Sequence, residues 1–169
     1  MAHKYIPNRV NYSIMSPPWK ITQPKNDADY FERLTKSVFT AGLTWTVVEN
    51  KWPSFRKAFL NFSPERVSKF SERNIKTLIK DPAIVRNEKK IRATVFNAGE
   101  FLELQKDYGS FKKYLDSFRK DEERLLSDVQ EKFHHLGPST ARTFLWASAC
   151  PLTPNAEEKK WMATHKRAS

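Results

Sequence analysis

Thr40-Ala41-Gly42-Leu43-Thr44-Trp45 decides how this chain is read, because it places a glycine turn and a tryptophan between two helical patterns. Upstream, Phe31, Leu34 and Val38 fall at i, i+3 and i+7, one face of a helix, behind Asn26 and Asp27, which suit an N-cap. Downstream, Val48, Trp52, Phe55, Phe59 and Phe62 continue at helical spacing. Pro53 is expected to kink or restart that helix, since proline removes an intrahelical donor. A turn needs glycine where φ is positive or where another backbone comes close. Only four glycines are present, Gly42, Gly99, Gly109 and Gly137, and the last stands in a second turn, Leu136-Gly137-Pro138-Ser139-Thr140-Ala141.

The remaining patterns are helical too. Ser63-Pro64-Glu65 reads as an N-cap, a first-turn proline and an acid that suits the helix dipole. Ser71 opens a short helix carrying Ile75, Leu78 and Ile79, which Asp81-Pro82 stops. The longest helix is expected from about Asn87 to Lys106, with Ile91, Val95, Ala98 and Leu102 as its stripe. Gly109 closes it, and Ser110 opens the next, with Phe111, Tyr114, Leu115 and Phe118. Residues 119–124 form a charged helix start or linker before Leu125, Leu126, Val129 and Phe133. After the second turn an apolar helix is expected from Ser139 to Cys150, then a break at Pro151 and Pro154 and a last amphipathic piece around Trp161. No alternating pattern runs longer than four residues, so the chain is expected to be all-α.

Its organisation follows. Residues 1–26, with Pro17-Pro18-Trp19, read as an extended N-terminal arm. Residues 27–150 form the helical domain, with a hairpin at 133–146, and residues 151–169 a tail that packs on it.

Composition narrows the partners. Within 169 residues, a hydrophobic content of 39% with twelve Phe and five Trp suffices for a packed interior. The formal charge is +11, and the first 25 residues carry Lys4, Arg9, Lys20 and Lys25 with no acid. Such an excess favours a polyanion, since each phosphate neutralised releases counterions. One cysteine, Cys150, excludes an internal disulfide and any cysteine-rich zinc site. His3, His134, His135 and His165 lack metal-ligand spacing, so no metal is expected, and no glycine-rich nucleotide loop calls for a cofactor. There is no apolar run of membrane length and no signal-peptide core, which points to a cytoplasmic protein, nucleoid-associated in a prokaryote.

The segment from Phe133 to Trp146 carries the clearest chemistry. Two helices joined by a tight glycine turn aim backbone N–H groups outward at the second helix's start, an arrangement that binds phosphate without reading bases. Ser139 and Thr140 can cap that helix or donate to phosphate oxygens, and Arg142 supplies charge one turn in. An ordinary helical hairpin fits the same residues.

Three blocks now resemble a family, the 3-methyladenine DNA glycosylase I group of the helix-hairpin-helix glycosylases. Phe39-Thr40-Ala41-Gly42-Leu43-Thr44-Trp45 is close to the family's QAGLSW signature. Ile84-Val85-Arg86-Asn87-Glu88-Lys89-Lys90-Ile91-Arg92-Ala93 is similar to its IIRNxxKIxA block, and Leu136-Gly137-Pro138-Ser139-Thr140 to its FVGPTT hairpin. The resemblance runs from about Asp29 to Ala149.

It implies a helix-hairpin-helix fold of two helical lobes around a base-binding cleft. It also implies base excision: double-stranded DNA is bound, a damaged base is flipped out, and water cleaves its N-glycosidic bond. An alkylated purine carries positive charge, so an electron-rich ring both stacks on it and attracts it. Trp45 matches the family's pocket tryptophan, and Trp19 an aromatic of its N-terminal element, with Phe39 expected beside them and Ser37 as a polar contact. Gly137, Pro138, Ser139, Thr140 and Arg142, with Lys89, Lys90 and Arg92, are expected to form the DNA surface.

The departures from the family are specific. Where the family has a glutamate eight residues before its tryptophan, this chain has Ser37, which can hydrogen-bond but offers no carboxylate to a cationic base. The family's zinc-binding Cys and His residues have no counterparts before Trp19, and Cys150 and His165 do not restore the C-terminal pair. The termini are therefore expected to be held by apolar packing, without zinc. The wider superfamily places an aspartate about twenty residues beyond the hairpin glycine; Glu157 stands at that offset from Gly137, with Glu158 beside it. Glu157 and Glu49 are the candidate catalytic acids, either able to stabilise an oxocarbenium-like sugar. No lysine stands where a Schiff-base nucleophile is expected, so a monofunctional glycosylase without strand cleavage is the leading reading, and the resemblance implies a monomer. The alternative is a helix-hairpin-helix DNA-binding protein with altered specificity or without catalysis.

Overall fold

The computed structural model describes residues 22–164, in which nine α-helices and one 3-10 turn, with no strand, enclose a single aromatic-rich core. The first helix, α1 (Asp27–Thr40), is its centre, burying Tyr30, Phe31, Leu34, Val38 and Phe39. Its start is set by Asn26, whose side chain accepts from the Asp29 N–H at 3.0 Å. Asp27, one residue on, accepts the Phe111 N–H with both oxygens at 3.1 Å and so ties down a distant helix start.

Helix α2 (Trp45–Ala58) runs on through Pro53 and does not restart there. Pro53 is exposed, and the carbonyl it leaves without a donor belongs to Glu49, also exposed, so water can take the missing bond. Nor does the helix extend to Phe62, as the spacing of Phe59 and Phe62 predicts. It ends at Ala58, and Leu60, Asn61 and Phe62 follow with φ of 53°, 54° and 54°. Three left-handed residues cost about 1–2 kcal/mol each. Aromatic burial offsets them, at about 1.5–3 kcal/mol per side chain. The turn brings Phe62 back to stack on Trp52 at 5.2 Å and on Phe59 at 5.9 Å, all three rings buried.

The middle of the chain follows its caps. Helix α3 (Pro64–Val67) starts on Ser63, and α4 (Glu72–Lys80) on a reciprocal Ser71–Asn74 capping box. Helix α5 (Glu88–Tyr108) starts on Asn87 and ends two residues beyond Lys106, at Gly109 with φ of 90°. Helix α6 (Phe111–Ser117) is capped by Ser110, and α7 (Glu122–Lys132) by Asp121. Helix α8 (Pro138–Ala147) stops short of Cys150, because Ser148 and a left-handed Ala149 (φ 56°) turn the chain there. Helix α9 (Ala156–Thr164) belongs to the tail. Helices α5 and α8 both pack on α1, which brings the two glycine turns onto one helical framework.

Candidate functional site

The first turn is built at the C-terminal end of α1. The Leu43 N–H returns to Thr40 O at 3.0 Å, and Gly42 has φ of 79°, a conformation that penalises any side chain. Carbonyls at a helix end need outside donors, and Lys90 of α5 supplies one. Its Nζ donates to Ala41 O at 2.6 Å and to Phe39 O at 3.3 Å. Burial pushes the Lys90 ammonium below the ordinary lysine range. Lys90, expected on the DNA surface, is therefore the cation that locks the turn.

Trp45 is the first residue of α2 and is half-buried. The Lys36 ammonium lies 4.7 Å from its ring centroid and 4.9 Å from that of Trp52, and pairs with Glu49 Oε2 at 2.6 Å. Ser37 is buried, and its hydroxyl donates to Arg33 O at 2.9 Å within its own helix. Phe39, expected among the pocket aromatics, is a core residue with no exposed surface, its ring edge-on to Phe55 at 4.7 Å. The reason is the helix period: Phe39 falls four residues past the buried Thr35 and eight past Phe31, on the broad buried side of α1. Trp19 lies outside the described residues.

The second turn joins α7 to α8. Phe133 and Leu136 are buried, and His135 between them is left-handed with φ of 56°. Gly137 is the N-cap of α8 with φ of −71°, and a Cβ added to it would meet nothing within 4 Å. Neither backbone strain nor crowding inside the protein therefore requires glycine at 137. An external backbone approaching the turn would. Gly137 supplies no capping side chain, Pro138 occupies the first turn, and Ser139 and Thr140 follow half-buried. One side chain ties the turn to α5: Asn97, 2% exposed, accepts the His134 N–H at 2.8 Å and donates to His134 O at 3.1 Å. The His134 ring stacks on the exposed Phe96 at 3.6 Å. An open groove of about 810 Å³ runs alongside, with Lys89, Arg92, His135 and Gly137 on its wall. Lys89 is exposed, whereas Arg92 is held by Glu72 at 2.6 Å and Glu88 at 2.9 Å.

Arg142, expected to meet phosphate, does other work. Its Nε and Nη2 donate to the two oxygens of Glu158 at 2.8 and 2.7 Å, Nη2 also donates to Thr153 O, and Nη1 reaches Glu122 at 3.3 Å. Two carboxylates hold the guanidinium against solvent, and the Arg142 side chain is only 13% exposed. Burial pushes the Glu158 carboxyl up, but the Arg142 and Asn155 hydrogen bonds and the Arg142 charge outweigh it and hold it below the usual range. Glu157, one residue earlier, is exposed in the first turn of α9.

The tail is thus held to α8 by an ionic clamp as well as by buried Leu152, where apolar packing alone was expected. Among the described residues no three His, Cys, Asp or Glu side chains are placed to hold an ion, and Cys150 is half-buried with a free thiol.

Sequence reasoning passed over Lys36 and Asn97. Lys36 gave no signal, because its partners lie on another helix. Asn97 did give one: it is the single amide within the apolar run from Ala93 to Ala98.

An all-helical fold that sets a glycine-turn tryptophan and an uncapped glycine-proline helix start on one framework defines the class of protein. Comparison then gives the family within that class: the chain belongs to the methyladenine glycosylase family, whose model matches residues 17–143. It is 30% identical over 96 residues to DNA-3-methyladenine glycosylase 1 of Escherichia coli (strain K12), covering 56% of this chain and 51% of that one. It is 31% identical over 88 residues to DNA-3-methyladenine glycosylase of Haemophilus influenzae, covering 52% and 48%. The matched region therefore spans about half the length of these relatives. A structure of 3-methyladenine DNA glycosylase I from Staphylococcus aureus superposes with a TM-score of 0.69 at 28% identity, over 76% of this chain and 79% of that one. A tyrosine-to-phenylalanine variant of 3-methyladenine DNA glycosylase I in complex with 3-methyladenine also gives 0.69, at 27% identity over 81% and 86%.

Proposed function

We propose that this protein is a DNA base-excision repair glycosylase that flips an alkylated, 3-methyladenine-like base out of double-stranded DNA and hydrolyses its N-glycosidic bond. The observation that carries the reading is Trp45, half-buried at the head of α2 behind a turn fixed by Gly42 and Lys90. Its indole offers a face for a flipped base and favours a cationic one. The hairpin, with Gly137, Pro138, Ser139 and Thr140, grips the phosphate backbone, and Lys89 adds charge beside it.

In the reaction, the oxygen of water bonds to the sugar C1′ and gives up a proton to a carboxylate or to solvent, while the C1′–N bond breaks and its electron pair leaves with the base. A base that is cationic in the duplex departs neutral, which lowers the barrier. The carboxylates proposed to stabilise the sugar's positive charge are Glu49, paired to Lys36 over the Trp45 ring, and Glu157, exposed on α9. Ser37 keeps lone pairs for a base edge while its proton is committed to Arg33 O. The enzyme works as a monomer and without strand cleavage.

Base release tests this directly. Purified protein is incubated with methylated DNA and single-lesion duplexes, and freed bases are identified by mass spectrometry. Release of 3-methyladenine is expected, and Trp45→Ala should abolish it while sparing most non-specific DNA binding. No release from any duplex, with binding intact, would favour the non-catalytic DNA-binding protein, the reading to which Ser37 in the glutamate's place lends weight.

A further inference from the structure

Lys36 is held by three residues of one stripe. Trp45, Glu49 and Trp52 follow at i, i+4 and i+7 on α2, so that face presents two indoles and a carboxylate to a single ammonium from α1. The second indole is fixed from behind, since Trp52 Nε1 donates to Glu32 at 2.6 Å and Arg56 holds the same oxygen at 2.8 Å. Lys36 itself sits on a flexible four-carbon stem, its side chain 20% exposed, and Glu49 lies toward solvent at 48%.

We infer that Lys36 and Glu49 set the charge preference of the pocket: the Lys36 ammonium is an internal competitor of a cationic base for Trp45, and Glu49 receives the base's charge when the ammonium gives way. This rests on the reading of Trp45 as the base platform. An indole attracts a cation through its π-electrons, and both faces draw on the same electrons. An ammonium already over the ring therefore opposes a cationic base whichever face the base takes, by occupying the place or by repelling across the ring. A neutral base meets no such opposition. Ser37 cannot supply a counter-charge, whereas Glu49 can: its Oε2 is 2.6 Å from an ammonium that is itself 4.7 Å from the ring centroid. The pocket thus carries its own stand-in for an alkylated base, and a lesion must outcompete it.

The test uses the full chain with two nucleoside probes, 7-methylguanosine at slightly acid pH, a cation, and guanosine, neutral. Binding is followed by tryptophan fluorescence, with base release from methylated DNA measured in parallel. K36M keeps an apolar stem over the rings and removes the charge, K36R keeps the charge, and E49Q removes the carboxylate. K36M should tighten 7-methylguanosine about fivefold to thirtyfold with guanosine unchanged. K36R should behave as the wild type, and E49Q should weaken the cation alone. The ratio between the two probes is the decisive readout, because loss of a merely structural ion pair would move both together. An unchanged ratio in K36M, or no binding of either probe by any variant, overturns the inference. Charge-selective binding without base release would instead remove the glycosylase reading and leave this one standing.

Discussion

Arg142 and Glu158 face one another in a two-pronged ion pair at 2.8 and 2.7 Å, joining the hairpin helix to the tail helix. The same guanidinium reaches Glu122 on α7 and Thr153 O, so one side chain ties together three segments that meet behind the second turn. The arginine of the hairpin helix is therefore spent on architecture.

That clamp should govern acid stability. The Glu158 and Glu122 carboxyls are raised by burial, but hydrogen bonds and the Arg142 charge bring both below the usual carboxylate range. A group with a lowered folded-state pKa stabilises the fold above its unfolded value, about pH 4.3 for glutamate, and loses that contribution as pH falls through the folded value. The wild type should thus melt at steadily lower temperature below about pH 4. Glu158→Gln should cost about 3 kcal/mol near neutrality and flatten that acid slope. Calorimetric melting across pH checks both.

Gly137 offers a cleaner separation of folding from binding. With φ of −71° and no neighbour within 4 Å of an added Cβ, Gly137→Ala should leave stability unchanged or raise it by about 0.4–1 kcal/mol. DNA affinity should fall, because the added methyl stands where a phosphate backbone approaches. Thermal melting beside duplex-binding titrations would reveal it; equal affinity for both proteins would remove the hairpin from the DNA surface.

Asn97→Ala should do the reverse in part. It strips the His134 N–H and C=O of their partner in a half-buried place, at a cost of about 1–3 kcal/mol. The turn it holds should loosen, so duplex binding should weaken at every salt concentration, together with a lower melting temperature. Amide hydrogen exchange at residues 134–137 should rise with it.

Lys90→Met should act on the other turn. Removing the donor to the Ala41 and Phe39 carbonyls should cost about 1.5–3 kcal/mol, the range for hydrogen bonds to charged groups. Because that donor fixes the approach to Trp45 rather than the hairpin, base release should fall further than duplex affinity. Parallel losses of both would assign Lys90 to the DNA surface after all.

Much of this was legible in the chain itself. The helix starts at Asn26, Ser63, Ser71, Asn87 and Ser110 are capped by side chains that reach only a few residues along the sequence, so local reading finds them. The break at Ala58 was not legible, since Phe59 and Phe62 keep helical spacing and only their stacking on Trp52 repays a left-handed turn.

The helical class, the two glycine turns, the family resemblance and the tryptophan that heads α2 can all be read from the chain alone. Those rest on periodicity, caps and motif spacing, all short-range properties of a chain. Tertiary structure alone decided what the charges do. Lys90 closes the first turn, Arg142 clamps the tail, Arg92 is neutralised by two glutamates, and Lys36 settles over Trp45. A cation's role is set by which carboxylate, carbonyl or ring lies within a few ångströms, and here most of those partners come from other helices.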